Sequence, residues 1–70
     1  MADLTFKLST DYIELYKLLK LMGLFENGGM AKHAISEGQV KVNGAVETRK
    51  AFKTRAGHQV EFEGQIILVQ

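Results

Sequence analysis

Cysteine and proline are both absent from this chain of 70 residues. Without cysteine there is no disulfide framework and no thiolate metal site. Stability must then come from packing alone. The absence also fits a reducing compartment, and the cytoplasm is the expected location. No Ser/Gly-rich linker divides the chain, and no segment has the composition of a disordered tail. No apolar run approaches the roughly 20 residues that span a bilayer. Asp3 and Lys7 interrupt the basic-then-apolar order of a signal peptide. No membrane partner is expected.

The bulk composition is ordinary, with 46% hydrophobic and 24% charged residues and a net charge of +1. The length suits a single domain over residues 1–70. A domain this small buries only about 60% of its unfolded surface. Its core needs most of its apolar residues, which leaves little for a deep, water-excluding cavity. Ser9 and Ser36 are the only serines, and neither sits in a nucleophile motif. His33 and His58 have no second ligand at metal spacing. Gly28-Gly29 is not a phosphate-cradling loop, because no Gly-Lys-Ser/Thr follows. Glu61 and Glu63 read as solvated residues on one strand face. The expectation is a non-catalytic chain with no cofactor and no metal.

Periodicity supplies the elements. Leu4, Phe6 and Leu8 alternate with polar residues, which predicts a short strand at a sheet edge. Asp11 and Glu14 have the spacing of a capping box. Leu15, Leu18, Leu19 and Met22 follow a helical stripe, and Gly23 can stop it. The first helix is expected over residues 12–22. Asn27 is a candidate N-cap for a second helix over 28–37, with Ala31, Ala34 and Ile35 facing inward and Gly38 ending it. Val40 and Val42 alternate before Asn43-Gly44, and Asn-Gly suits a type I′ hairpin turn. Val46 begins the return strand. Residues 49–55 read as a polar, basic stretch around Ala51 and Phe52. A turn at Ala56-Gly57-His58 leads to a strand with Val60 and Phe62. Gly64 turns the chain into a largely buried last strand, Ile66 to Val69. The class is α+β, with two short helices packed against a small, mainly antiparallel sheet.

Charge is unevenly placed. Residues 32–55 hold Lys32, Lys41, Arg49, Lys50, Lys53 and Arg55 against Glu37 and Glu47, a net of +4. The rest of the chain nets −3. A basic middle between acidic flanks points toward a polyanionic partner. A solvated basic face remains the alternative. Lys17 and Lys20 read as solvated residues on the outer face of the first helix.

Residues 31–46 read Ala-Lys-His-Ala-Ile-Ser-Glu-Gly-Gln-Val-Lys-Val-Asn-Gly-Ala-Val. This run resembles the core signature of the S-four RNA-binding domain, the alpha-L motif, in its small stand-alone bacterial form. In that family a short helix with Ala and Ile on its inner face ends at Gly. A Val-x-Val-Asn-Gly strand and turn follow. A later turn is matched here by Ala56-Gly57-His58-Gln59-Val60. The resemblance runs from about Tyr12 to Phe62. It implies contact with structured RNA, ribosomal or otherwise folded, and association with ribosomes or other ribonucleoproteins. It implies contact through the second helix, the adjoining strand and the loop.

The expected RNA-binding residues are Lys32, His33, Lys41, Asn43, Arg49, Lys50, Lys53 and Arg55. Asn43 is a turn residue first, and Phe52 is assigned to the core before base stacking. Tyr12-Ile13-Glu14 stands where the family has Arg-Leu-Asp, and Asn27-Gly28 where it has Ser-Arg. These departures move the expected contacts toward Arg49–Arg55 and away from the helix starts. A second reading stays open: a protein-interaction module that docks on an acidic partner within a ribonucleoprotein.

Overall fold

Seven strands and two helices make up the described part of the chain, residues 4–70 of a computed structural model. In chain order they are β1 (Leu4–Phe6), β2 (Ile13–Glu14), α1 (Leu15–Leu21), α2 (Gly28–Ser36), β3 (Val40–Val42), β4 (Ala45–Val46), β5 (Lys53–Thr54), β6 (Gln59–Phe62) and β7 (Gln65–Val69). The main sheet runs β1-β7-β6-β3-β4. Strand β1 lies at its edge and pairs parallel to β7, while the other pairs in this sheet are antiparallel.

Two hairpins share one turn chemistry. At β3–β4, Asn43 and Gly44 have φ of 52° and 86°, and at β6–β7, Glu63 and Gly64 have φ of 50° and 79°. Two consecutive positive φ values are what a type I′ turn needs, and they match the twist of the flanking strands. Glu63 therefore belongs to the turn. It does not share a strand face with Glu61, as simple alternation had suggested.

The inner face of the sheet carries Val40, Val42, Val60, Phe62, Ile67 and Val69, and α1 and α2 cover it with Leu15, Leu18, Leu19, Ala31, Ala34 and Ile35. Small alanines on α2 let it lie close against α1. Helix α2 begins as expected: Asn27 Oδ1 accepts a hydrogen bond from the Met30 N–H at 2.9 Å. It ends where Gly38 takes a φ of +77° and the Gln39 N–H returns to the Ala34 carbonyl.

Helix α1 starts later than its periodicity suggests. Residues 13–14 pair antiparallel with β5, Ile13 opposite Thr54 and Glu14 opposite Lys53. The Leu15 N–H then donates to the Phe52 carbonyl at 2.9 Å, and the Tyr16 N–H to the Lys50 carbonyl at 3.2 Å. A helix start leaves its first amides without partners, and here the segment leading into β5 supplies carbonyls to two of them. The expected capping box is consequently not formed. Glu14 takes the N-cap position without a side-chain cap and bonds Lys17 instead, at 3.1 Å.

Candidate nucleic-acid interface

The segment after β4 is held against the start of α1 by those backbone bonds, and its own alternation decides what it shows to solvent. Phe52 points inward and packs against the core. Thr54 is completely buried. Lys53 and Arg55 therefore point outward, as their exposure shows. The backbone N–H of Arg55 is fixed by His58 Nδ1 at 2.9 Å, and the His58 ring sits 5.5 Å from the Phe52 ring. The result is that both cations reach Tyr12. Lys53 Nζ lies 5.1 Å from the centre of its ring and the Arg55 guanidinium 5.5 Å.

A second tyrosine continues this belt. Lys32 on α2 lies 4.5 Å over the ring of Tyr16 on α1, and Lys17 lies 6.0 Å from it. The Tyr16 ring also passes the bare backbone of Gly28, where an added Cβ would meet it at 3.5 Å. Hydrogen bonding to Glu14 raises the Lys17 pKa above the ordinary lysine range. Two open hollows flank the rings. One, of about 380 Å³, is lined by Thr10, Tyr12, Ile13, Glu14 and Lys17. The other, of about 280 Å³, is lined by Tyr16, Lys17, Lys20, Leu21 and Gly28. A cation over an exposed ring is held by only about 0.5–1 kcal/mol. Such a side chain keeps its full charge and is free to turn to a phosphate.

The remaining expected residues sit differently. Lys41 is exposed on the outer face of β3, opposite Glu61 of β6. Asn43 Oδ1 accepts from the Gln59 N–H at 2.8 Å, so its carbonyl oxygen locks the hairpin turn to β6. Arg49 forks onto Glu47, with Nε at 2.8 Å and Nη2 at 3.0 Å from the carboxylate oxygens. Its own backbone N–H adds a third bond to the same group at 3.0 Å. The side-chain hydrogen bond from Arg49 holds the Glu47 carboxyl below the usual carboxylate range. The Arg49 guanidinium also lies 5.0 Å from the Phe52 ring. Lys50 is exposed at the same bend. His33 borders a separate hollow beside Phe25 and Met30.

The structure thus gathers Lys32, Lys53 and Arg55 around two tyrosines. Lys41 and Asn43 stay on the sheet hairpin, and Arg49 and Lys50 lie at the approach to β5. Sequence reasoning had given Tyr12 and Tyr16 no binding role and had read Lys17 and Lys20 as solvated. One signal was available: two tyrosines four residues apart, followed by Lys17 and Lys20, make an aromatic-and-basic pattern. The partners that complete it come from α2 and β5, far along the chain.

A family model for the S4 domain matches residues 6–70. YbcJ of Escherichia coli (strain K12) is 57% identical to this chain over 58 residues, which is 83% of each protein. A Bacillus subtilis (strain 168) protein named "Probable ribosome maturation protein RlbA" is 40% identical over 57 residues, covering 81% of this chain and 80% of its own length. The solution structure of E. coli YbcJ, described as revealing an alpha-L motif involved in RNA-binding, matches with a TM-score of 0.71 at 55% identity, over 93% of this chain and 84% of that one.

Proposed function

The chain belongs to the S4 domain family, and on that premise we propose that it binds structured RNA, without catalysis, through the belt of cations and tyrosines at the start of α1. The observation that carries this reading is the set Lys32, Lys53 and Arg55, exposed and lying over aromatic rings. None of the three has a carboxylate within ion-pair distance among the described residues. The description of the YbcJ structure as an RNA-binding motif supports the same reading.

Each cation set on a phosphate releases condensed counterions, and that release supplies much of the affinity. Lys32, Lys53 and Arg55 make the principal phosphate contacts, with Lys50 and Lys41 at the margin. Arg49 and His33 contribute through shape and local polarity, and Asn43 serves the hairpin turn. The RNA is folded, ribosomal or similar. The name of the B. subtilis relative favours a ribosomal target, and the setting is the bacterial cytoplasm. The hollows beside the belt are open to solvent, which suits docking of a large partner better than chemistry on a small one.

Filter binding of folded RNA across a salt series tests the proposal. About four phosphate contacts predict roughly hundredfold weaker binding between 50 and 200 mM salt. A flat salt response, or no binding to folded RNA at low salt, overturns it. Capture of an acidic protein that survives RNase treatment would instead identify the belt as a protein-docking surface.

A further inference from the structure

Tyr12 is 38% exposed, although its phenol is one of the larger apolar surfaces of the chain. Its backbone is nevertheless held firmly. The Thr10 hydroxyl donates to the Tyr12 carbonyl at 2.7 Å, and the next residue, Ile13, is locked into the pairing with β5. The ring is therefore carried on a fixed backbone and stands open to solvent. Lys53 and Arg55 approach it from alternate outward positions of one strand segment. An open hollow of about 380 Å³ lies alongside. Tyr16 differs, being half-buried beside Gly28 with Lys32 over it.

We infer that Tyr12 is a base-stacking site, and that the RNA bound by this domain presents an unpaired, unstacked nucleotide to it. The inference rests on the RNA-binding reading above and adds the class of RNA. In an A-form duplex every base face is covered by its neighbours, and a protein meets only phosphates, 2′-hydroxyls and groove edges. An aromatic ring offers nothing to that surface that a lysine does not offer better. A bulged or looped base has a free π-face, which stacks on an aromatic ring whatever its sequence. Lys53 and Arg55 then move from the ring to the phosphates on either side of the stacked nucleotide. Tyr16 positions Lys32 and does not stack.

The experiment uses the full chain and two RNA hairpins that differ only in one bulged nucleotide, carrying 2-aminopurine. The wild type binds the bulged hairpin roughly five- to hundredfold tighter than the fully paired one, the range for one aromatic–base stack. Its binding changes the 2-aminopurine fluorescence. Tyr12→Leu reduces the affinity for the bulged hairpin to that for the paired one, and Tyr12→Phe preserves the preference. Equal, salt-sensitive binding of both hairpins by the wild type overturns the stacking site and leaves the RNA-binding reading standing. A preference that survives in Tyr12→Leu also overturns it. Failure of the wild type to bind either hairpin at low salt overturns both. The wild-type comparison decides the matter even where a variant is unstable.

Discussion

Along the β3–β4 hairpin and its exit, polar groups answer to the protein. Asn43 holds Gln59, Arg49 is forked on Glu47, and Lys41 faces Glu61 across the ladder. Around the start of α1 they answer to aromatic rings. Glu14 lies opposite Lys53 in register but hydrogen bonds Lys17, which leaves the Lys53 amine over Tyr12. The two regions hold similar residue types and differ in what a polyanion must displace. A phosphate approaching Arg49 competes with a carboxylate already bound in two places, a strong geometry for an arginine. A phosphate approaching Lys53 or Arg55 competes only with a ring.

The largest expected effect tests that contrast directly. The double change Lys53→Glu with Arg55→Glu lowers RNA affinity by roughly hundredfold at moderate salt and reduces the salt slope by about two. Arg49→Glu, measured in the same filter-binding series, costs only a few-fold, because that guanidinium is already held by Glu47. Equal effects would abolish the distinction between the regions.

The next largest effect is on stability. Asn43→Ala replaces a residue that tolerates the left-handed φ of 52° with one that does so less readily, and removes the bond to Gln59. Thermal unfolding should show a loss of about 1–2 kcal/mol, with the RNA affinity of the folded protein unchanged. A drop in affinity without a drop in melting temperature would move Asn43 onto the RNA surface.

A gain is expected at Thr54. Its hydroxyl is buried without a hydrogen-bond partner among the described residues. An unsatisfied buried polar group carries a desolvation penalty, so Thr54→Val should stabilise the fold by about 1 kcal/mol, read as a rise of a few degrees in Tm. Because Lys53 and Arg55 flank this position, RNA binding should stay intact. Loss of stability would reveal a partner for the hydroxyl.

The smallest effect sharpens the contrast from the other side. Glu47→Gln frees Arg49 and should raise RNA affinity about threefold, with a salt slope steeper by about one. Acid should act on the same pair. Because the folded-state pKa of Glu47 is lowered by the Arg49 hydrogen bond, the pair's contribution is present above the ordinary glutamate pKa. It is lost as pH falls through the lowered value. A side-chain NMR titration should place the Glu47 midpoint below the ordinary range and return it there in Arg49→Ala.

Much of the fold was legible because its signals are local. The Asn27 cap, the Ala31-Ala34-Ile35 stripe, the Asn43-Gly44 turn and the alternation of Val40 with Val42 each depend on neighbours a few residues away. The run from Ala31 to Val46 also carried the family resemblance, and the match over residues 6–70 agrees with it. The candidate site was legible only in outline. Lys32, Lys53 and Arg55 were expected from charge, yet contact was expected away from the helix starts. The pairing of β5 with β2 lays the Arg49–Arg55 segment against the start of α1, so the two locations are one.

By itself the sequence determined the α+β class, both hairpin turns, the helical core stripes and the basic middle of the chain. These follow from side-chain period, backbone sterics and charge, which need no knowledge of the rest of the molecule. Only the tertiary structure decided where α1 begins, that Thr54 is buried, and that Lys53 and Arg55 both reach Tyr12. Strands β2 and β5 are two residues each and some forty residues apart. A strand so short shows no period, and its partner is chosen by the packing of everything between.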